Sequence, residues 1–527
     1  MKGNAHSSRR TFLKGALTAT PLLLVGPSLL TPSRAMAQGV GPSTRTEPYL
    51  LPSIDGVKTV SILTVGDAVG GYRMVGIPDG LGVFRSGSKQ FTLLMNHEIT
   101  SARPGIIRAH GSNGAFVSRW TISAETLAVL DGEDHTPSAN DVFLWTGSGY
   151  AAGTTQWQRL CSADLAAESA YFAQGVGTRD RILLDGEEVT EGRAWARVAT
   201  GPHTGEAWQL PRLGRLSFEN AVACPHPQDR TIVVCLDDGA LSTAAVATNF
   251  PSEVYVYVGT KSRRGDPIEQ AGLTNGELWG LTISVNGRAV TEESDAFGLG
   301  TAATGYVGKG RFGLQNLGDV SNLTALELEQ RSIAAGVARL QRCEDGAWDP
   351  REGHHHDFYF VTTASLTNNC RLWRLRFDDI EHPDRGGTIE ILLRGDEGHK
   401  MLDNVTIDRL GRILMDEDPG NADRVSKIWL YGIESRQLIQ VAAHNPKFFD
   451  PSAGSADFIT IDEESSGIID AAGILGHGWF LLDVQAHKVS SDPELVEGGQ
   501  LLAMFVDPGI GTGCRDDLDG DDRDHRG

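Results

Sequence analysis

The chain has 527 residues, with 68 acidic against 47 basic side chains, a formal net charge of −21 and 63 glycines. At 40% hydrophobic and 22% charged, the composition excludes a disordered chain. The acidic balance excludes a nucleic-acid binder, which needs a basic footprint, and is compatible with many bound divalent cations.

In chain order, the first element is an address. Ser8-Arg9-Arg10-Thr11-Phe12-Leu13-Lys14 is a twin-arginine pattern, an apolar stretch runs from Ala16 to Leu30, and Ala35-Met36-Ala37 is a small-residue cleavage site. Residues 1–37 are therefore expected to be a twin-arginine signal peptide. They would engage the twin-arginine export machinery and deliver the product to the periplasm or the medium. Pro21, Gly26 and Pro27 break the apolar stretch, and no later window reaches transmembrane length, so no stable membrane anchor is expected. In an oxidising compartment Cys224 and Cys235, symmetric about Asp229-Arg230, are expected to bridge across a hairpin. Cys343 and Cys370 form a second candidate pair, which leaves Cys161 and Cys514 over.

Residues 38–512 read as strand, turn, strand. Six strands share one flavour: V-S-R-W-T-I (117–122), E-V-Y-V-Y-V (253–258), E-L-W-G-L-T-I (277–283), R-L-W-R-L-R-F (371–377), K-I-W-L-Y-G-I (427–433) and Q-L-L-A-M-F-V (500–506). An all-β fold, a six-bladed β-propeller with insertions, accounts for them; a pair of β-sandwiches is the alternative. One helix is expected over Leu323–Leu340, with Leu326, Ile333, Val337 and Leu340 on its apolar period, inside a propeller insertion. His354-His355-His356 reads as a surface loop, and residues 513–527 as an acidic disordered tail.

Carboxylates gather at strand ends. Phe91–Met95 runs into Asn96-His97-Glu98, and Ile182-Leu183-Leu184 into Asp185-Gly186-Glu187-Glu188. Leu216-Ser217-Phe218 leads to Glu219, Ile232–Leu236 to Asp237-Asp238, and the helix to Arg342-Cys343-Glu344. Leu402-Asp403-Asn404 precedes a strand that ends in Asp416-Glu417-Asp418. In a propeller such ends converge on the central channel, where acids repel unless cations neutralise them. A metal centre explains the set. G-x-S-x-G, H-E-x-x-H and phosphate-loop templates do not occur.

Taken in order, these motifs resemble the PhoX-type alkaline phosphatases, over roughly residues 61–506. The likeness comprises N-H-E at 96–98, the cysteine segment at 161, Glu187-Glu188, Glu219, Asp237-Asp238 and Y-V-Y. It continues through Arg342-x-Glu344, Asp403-Asn404, Glu464-x-x-Gly467 and the strand carrying Gln485 and His487. The resemblance implies a six-bladed propeller with axial calcium and iron that acts on phosphate monoesters. It assigns Glu98, Cys161, Glu188, Glu219, Asp238, Glu344 and Asp403 as metal ligands. Arg342 and Glu344 become the catalytic pair, with Arg342 on a phosphate oxygen. The chain departs from the family at Arg159-Leu160-Cys161-Ser162, where the family has N-N-C-A, at Phe218 for the His of H-E, and at Cys343 for the Pro of R-P-E. The expected product is a monomeric exported hydrolase of small phosphorylated substrates. A calcium-dependent propeller lactonase or esterase and a non-catalytic calcium-stabilised binding propeller are the rival readings.

Overall fold

A computed structural model of the chain describes residues 39–239, 241–242, 251–296, 308–368, 370–422 and 424–513. The expected signal peptide, Cys514 and the expected acidic disordered tail beyond Gly513 lie outside them. Among the described residues no helix is long and apolar enough to cross a membrane.

Antiparallel strands dominate. Six strands open successive meanders and are numbered in chain order: β1 (Pro78–Arg85), β2 (Leu160–Asp164), β3 (Phe218–Ala223), β4 (Cys343–Trp348), β5 (Leu402–Ile407) and β6 (Glu463–Asp470). Each pairs outward with the next strand of its own sheet: Gln90–His97, Ile182–Glu187, Arg230–Asp237, Asp357–Thr363, Arg412–Glu417 and Trp479–Ala486 respectively. Further strands extend each sheet. Lys309–Gly318 joins the outer strands of the third and fourth meanders into one continuous sheet. The opening strands pack side by side in a ring, each against the next and β6 back against β1.

The core follows from this ring. Hydrophobic residues collect in six separate clusters, each filling the wedge between consecutive meanders. Leu94, Trp157, Leu183 and Trp195 fill one wedge, for example, and Tyr359, Leu372, Ile413 and Trp429 another. A strand between two wedges buries both faces, so Ile232–Leu236 is apolar throughout instead of alternating. The chain termini close the ring: Val57–Thr64 pairs antiparallel with Gly498–Val506, completing the β6 meander from the N-terminal side.

The shared strand flavour belongs to position more than to count. Five of the six sequence matches are third strands of their meanders, while 277–283 lies in a fourth strand beside 253–258. The corresponding third strand of the β2 meander is Ala194–Val198.

Three expectations need correction. The helix, α1, spans Ala325–Ala335; Gly336 ends it in the left-handed conformation at φ 74°, and Ala338 already pairs with Leu281. Its buried face is Ala325, Leu328, Glu329 and Ser332, whereas Leu326 and Ile333 are each 38% exposed. Cys224 and Cys235 are free thiols. Cys224 N–H donates to the Ile232 carbonyl at 2.9 Å while Cys235 stands opposite Ala221, so the hairpin folds about Gln228 and not Asp229-Arg230. That register puts the two thiols in different wedges. Cys343 and Cys370 are also free: they face Thr362 and Thr363 from opposite sides of the Asp357–Thr363 strand.

Candidate metal centre

One local device recurs in all six meanders. The residue before each opening strand offers its carbonyl to the last residue of the second strand or the one just past it. These bonds are Glu98 to Ile77 (2.8 Å), Glu188 to Arg159 (2.8 Å), Asp238 to Ser217 (2.9 Å), Thr363 to Arg342 (2.9 Å), Asp418 to Met401 (2.8 Å) and His487 to Asp462 (3.0 Å). Ile77, Arg159, Arg342 and Met401 hold positive φ there, between 40° and 56°. In all six opening strands the ladder then breaks at a bulge, within the first four residues in five of them and between Ser466 and Ile469 in β6. A bulge re-aims side chains out of the ladder. The second residue of every opening strand is a ligand type: Asp79, Cys161, Glu219, Glu344, Asp403 and Glu464.

These devices build one pocket at the end of the ring where the opening strands begin. Glu98, Arg159, Cys161, Glu188, Glu219, Arg342, Glu344, Asp403, Asp418 and Glu464 line it, around a cavity of about 40 Å³. Four groups of three place one donor atom each within 4.8 Å of one another: Glu98–Cys161–Glu188, Asp79–Glu98–Glu464, Glu219–Glu344–Asp403 and Asp403–Asp418–Glu464. Asp238, also named from the sequence, stands behind the pocket wall and takes Arg342 in a bidentate pair at 2.7 and 2.9 Å. Arg342 reaches Glu344 as well, at 3.0 Å.

A belt of polar residues locks the opening strands together beneath the pocket. Asn404 Nδ2 donates to Ser162 Oγ at 2.5 Å, and Asn404 Oδ1 accepts from Gly467 N at 2.6 Å. Asn220 Nδ2 donates to Asp345 Oδ1 at 2.6 Å, and Asn96 Nδ2 to the Cys161 carbonyl at 2.7 Å. His97 of the N-H-E motif is a core residue, stacked on Phe116 and pushed down to about 3 by burial.

Burial first, then mutual repulsion, pushes Asp79, Glu219 and Asp403 well above the usual carboxylate range. Burial likewise raises Glu188 and Glu344, against the pull of Arg159 and Arg342 respectively. Asp418 is pushed up to about 8 by burial and Glu464. Burial works against a charge on His487, but its bonds to Glu464 and Glu497 push it up to about 11.

The residues fit a hard cation. Gln485 Nε2 stands 3.0–3.1 Å from carboxylate oxygens of Asp79, Glu98 and Glu464, while its own Oε1 is buried without a hydrogen-bond partner. Asp403 Oδ1 is buried and unpartnered too. Oxygen-only donors converging from several strands are what calcium takes. The His354 loop offers less: Asp349 and Asp357 lie near His354, yet each is already paired with an arginine, Arg351 and Arg376.

Asp79, Arg159, Asp418 and Glu464 were not singled out as site residues from the sequence. Their signal is the repeat itself, a ligand-type residue second in each opening strand and a polar residue at the end of the next strand or just past it. It emerges only once the meanders are aligned in space.

No family model and no curated protein matches the chain. Among solved structures, PhoX of Pseudomonas fluorescens, determined in complex with vanadate, a transition state analogue, superposes with a TM-score of 0.53 at 12% identity. That match covers 90% of this chain and 100% of that one. A gluconolactonase from Xanthomonas campestris gives a TM-score of 0.37 at 10% identity, over 90% of this chain and 98% of its own. At these identities, what the chain shares with PhoX is the fold.

Proposed function

We propose that the protein is an exported, metal-dependent phosphatase acting on small phosphate monoesters, built as a six-bladed β-propeller with one blade per meander. The observation that carries this reading is the pocket itself: carboxylates from all round the ring surround it, and two guanidiniums reach into it. Carboxylates alone would suit any calcium-dependent hydrolase. Guanidiniums beside a cation site favour an anionic substrate, because their fork matches phosphate oxygens and their charge is permanent.

Glu219, Glu344 and Asp403 would hold one cation and Asp403, Asp418 and Glu464 another, with calcium the ion their oxygens suit. When bound, such ions neutralise phosphate oxygens and acidify coordinated water. Arg342 orients the phosphoryl group: Asp238 and Glu344 fix its guanidinium from two sides, and its side chain is 36% exposed toward the mouth. Glu344 hardens the charge on Arg342, followed by Asp238. His487, held charged by Glu464 and Glu497, adds a further cation near the rim.

The test is turnover of a simple aryl phosphate and of a lactone panel by natively exported protein, with and without a chelator. Chelator-sensitive phosphate release is expected. Lactone hydrolysis without phosphate release would establish the lactonase alternative, and turnover of neither panel would leave a binding propeller.

A further inference from the structure

The donor group that contains Cys161 differs from the other three. On spacing alone, Glu98, Cys161 and Glu188 form a three-ligand set that includes sulfur. Yet both of its carboxylates are spanned by one guanidinium: Arg159 Nε meets Glu98 Oε1 at 2.7 Å, and Nη2 meets Glu188 Oε2 at 2.5 Å. The side chain starts from a pinned backbone. Arg159 sits at φ 40°, its N–H donates to the Ile99 carbonyl at 3.1 Å, and its carbonyl accepts from Glu188 at 2.8 Å. It is therefore anchored between the two strand ends that carry its partners.

The third donor is equally committed. The Cys161 Sγ–H donates to Glu219 Oε2 at 3.0 Å, so its proton is committed to a carboxylate of the neighbouring group. A neutral thiol is a poor metal ligand. The other groups keep ligands in reserve. Arg342 touches only Glu344 among Glu219, Glu344 and Asp403, and in the Asp79–Glu98–Glu464 group Arg159 and His487 take one carboxylate each, Glu98 and Glu464, while Asp79 meets the uncharged amide of Gln485.

We propose that Arg159 is the resident cation of the Glu98–Cys161–Glu188 pocket, neutralising both carboxylates where a metal ion would otherwise sit, so that the thiol stays unligated. The assignment rests on the metal-dependent reading and narrows it: the bound ions belong to the oxygen-only groups, and iron held through Cys161 does not belong to this chain.

Wild type, Arg159→Asn, Arg159→Lys and Cys161→Ser, exported natively, are compared by elemental analysis and by titration with Co²⁺, whose thiolate complexes absorb in the near ultraviolet. Wild type and Arg159→Lys are expected to bind Co²⁺ with no sulfur charge-transfer band. Arg159→Asn is expected to gain one equivalent and the band, and Arg159→Asn combined with Cys161→Ser to lose the band. A band in wild type that Cys161→Ser removes overturns the proposal, as does equal stoichiometry without a band in Arg159→Asn. If Arg159→Asn does not fold, the wild-type and Cys161→Ser spectra decide: a sulfur band overturns the assignment, and its absence with the other groups filled supports it. A wild-type chain that takes up no cation overturns the metal-dependent reading itself, and this assignment with it.

Discussion

Arg342 and Glu344 touch each other yet answer to different partners, so their substitutions should separate. Glu344→Gln removes one member of the Glu219–Glu344–Asp403 group, so metal content and turnover should fall together. Arg342→Ala should keep the metals and lower kcat/KM for an aryl phosphate by about 10²–10³-fold, the loss expected when a preorganised donor is removed. Arg342→Lys should recover part of it, since charge returns without the fork. Elemental analysis beside steady-state kinetics checks both, and full metal with full rate in both variants would remove this loop from the site. Asp164, three residues beyond Cys161, carries a different prediction. It is pushed up to about 7 by burial, although its Oδ2 accepts from Ala223 N at 2.8 Å. A carboxyl raised in the folded state lends stability below its unfolded value near 4 and loses it as pH climbs toward 7. Asp164→Asn should therefore gain stability on wild type at pH 8, on the order of a few kcal/mol, and little at pH 4.5. Denaturant unfolding at the two pH values measures this; an equal difference at both would show that Asp164 does not titrate in this range. At this scale the sequence was informative where an acid follows an apolar run, as at Glu98, Glu188, Glu219 and Asp403. It was silent at Asp79, which lies inside Ile77-Pro78-Asp79-Gly80 and looks like any turn.

The opening strands are the elements that set the site, and their packing is close enough to test. A Cβ on Gly80 of β1 would lie 2.4 Å from Ala163 N and 2.5 Å from the Ser162 carbonyl carbon of β2. Backbone cannot yield as a side-chain tip can, so Gly80→Ala must push the two strands apart. A cost of about 1–3 kcal/mol is expected, read as a fall in Tm of roughly 2–5 °C, with weaker cation retention because Asp79 rides on β1. An unchanged Tm would mean the two strands are not packed as described. Element by element, strand existence was legible because β-branched and aromatic runs between turn residues have few other homes. Faces and registers were not. The expected α1 period mixes exposed Leu326 and Ile333 with Val337 and Leu340, which are buried but lie past the helix, whereas the buried face carries Glu329 and Ser332, with Ser332 bonded to Tyr255. The cysteine hairpin failed by the placement of its turn, which sequence symmetry does not fix.

For the whole molecule, the ring concentrates charge along its own axis, and stability should report what neutralises it. Asp79, Glu188, Glu219, Glu344 and Asp403 are all raised well above the ordinary carboxylate range, with burial the largest cause in each. Folding thus favours their protonated forms, and their contribution is present at low pH and lost as pH rises through the raised values. Calcium competes with those protons. Without it, Tm should fall between pH 5 and pH 8; with it, the ionised carboxylates have their partner and the fall should be slight. At a concentration of about 100 times the dissociation constant a single ion adds roughly 2.7 kcal/mol, so the gain should be measurable at pH 8 and small at pH 5, where protons already do the neutralising. Differential scanning calorimetry with calcium and with a chelator, at both pH values, measures the two gaps. A gap that is the same at pH 5 and pH 8, or absent at both, would mean that calcium does not bind at these acids. A gap that widens with pH and closes in Glu344→Gln would tie the stabilising ion to the pocket itself.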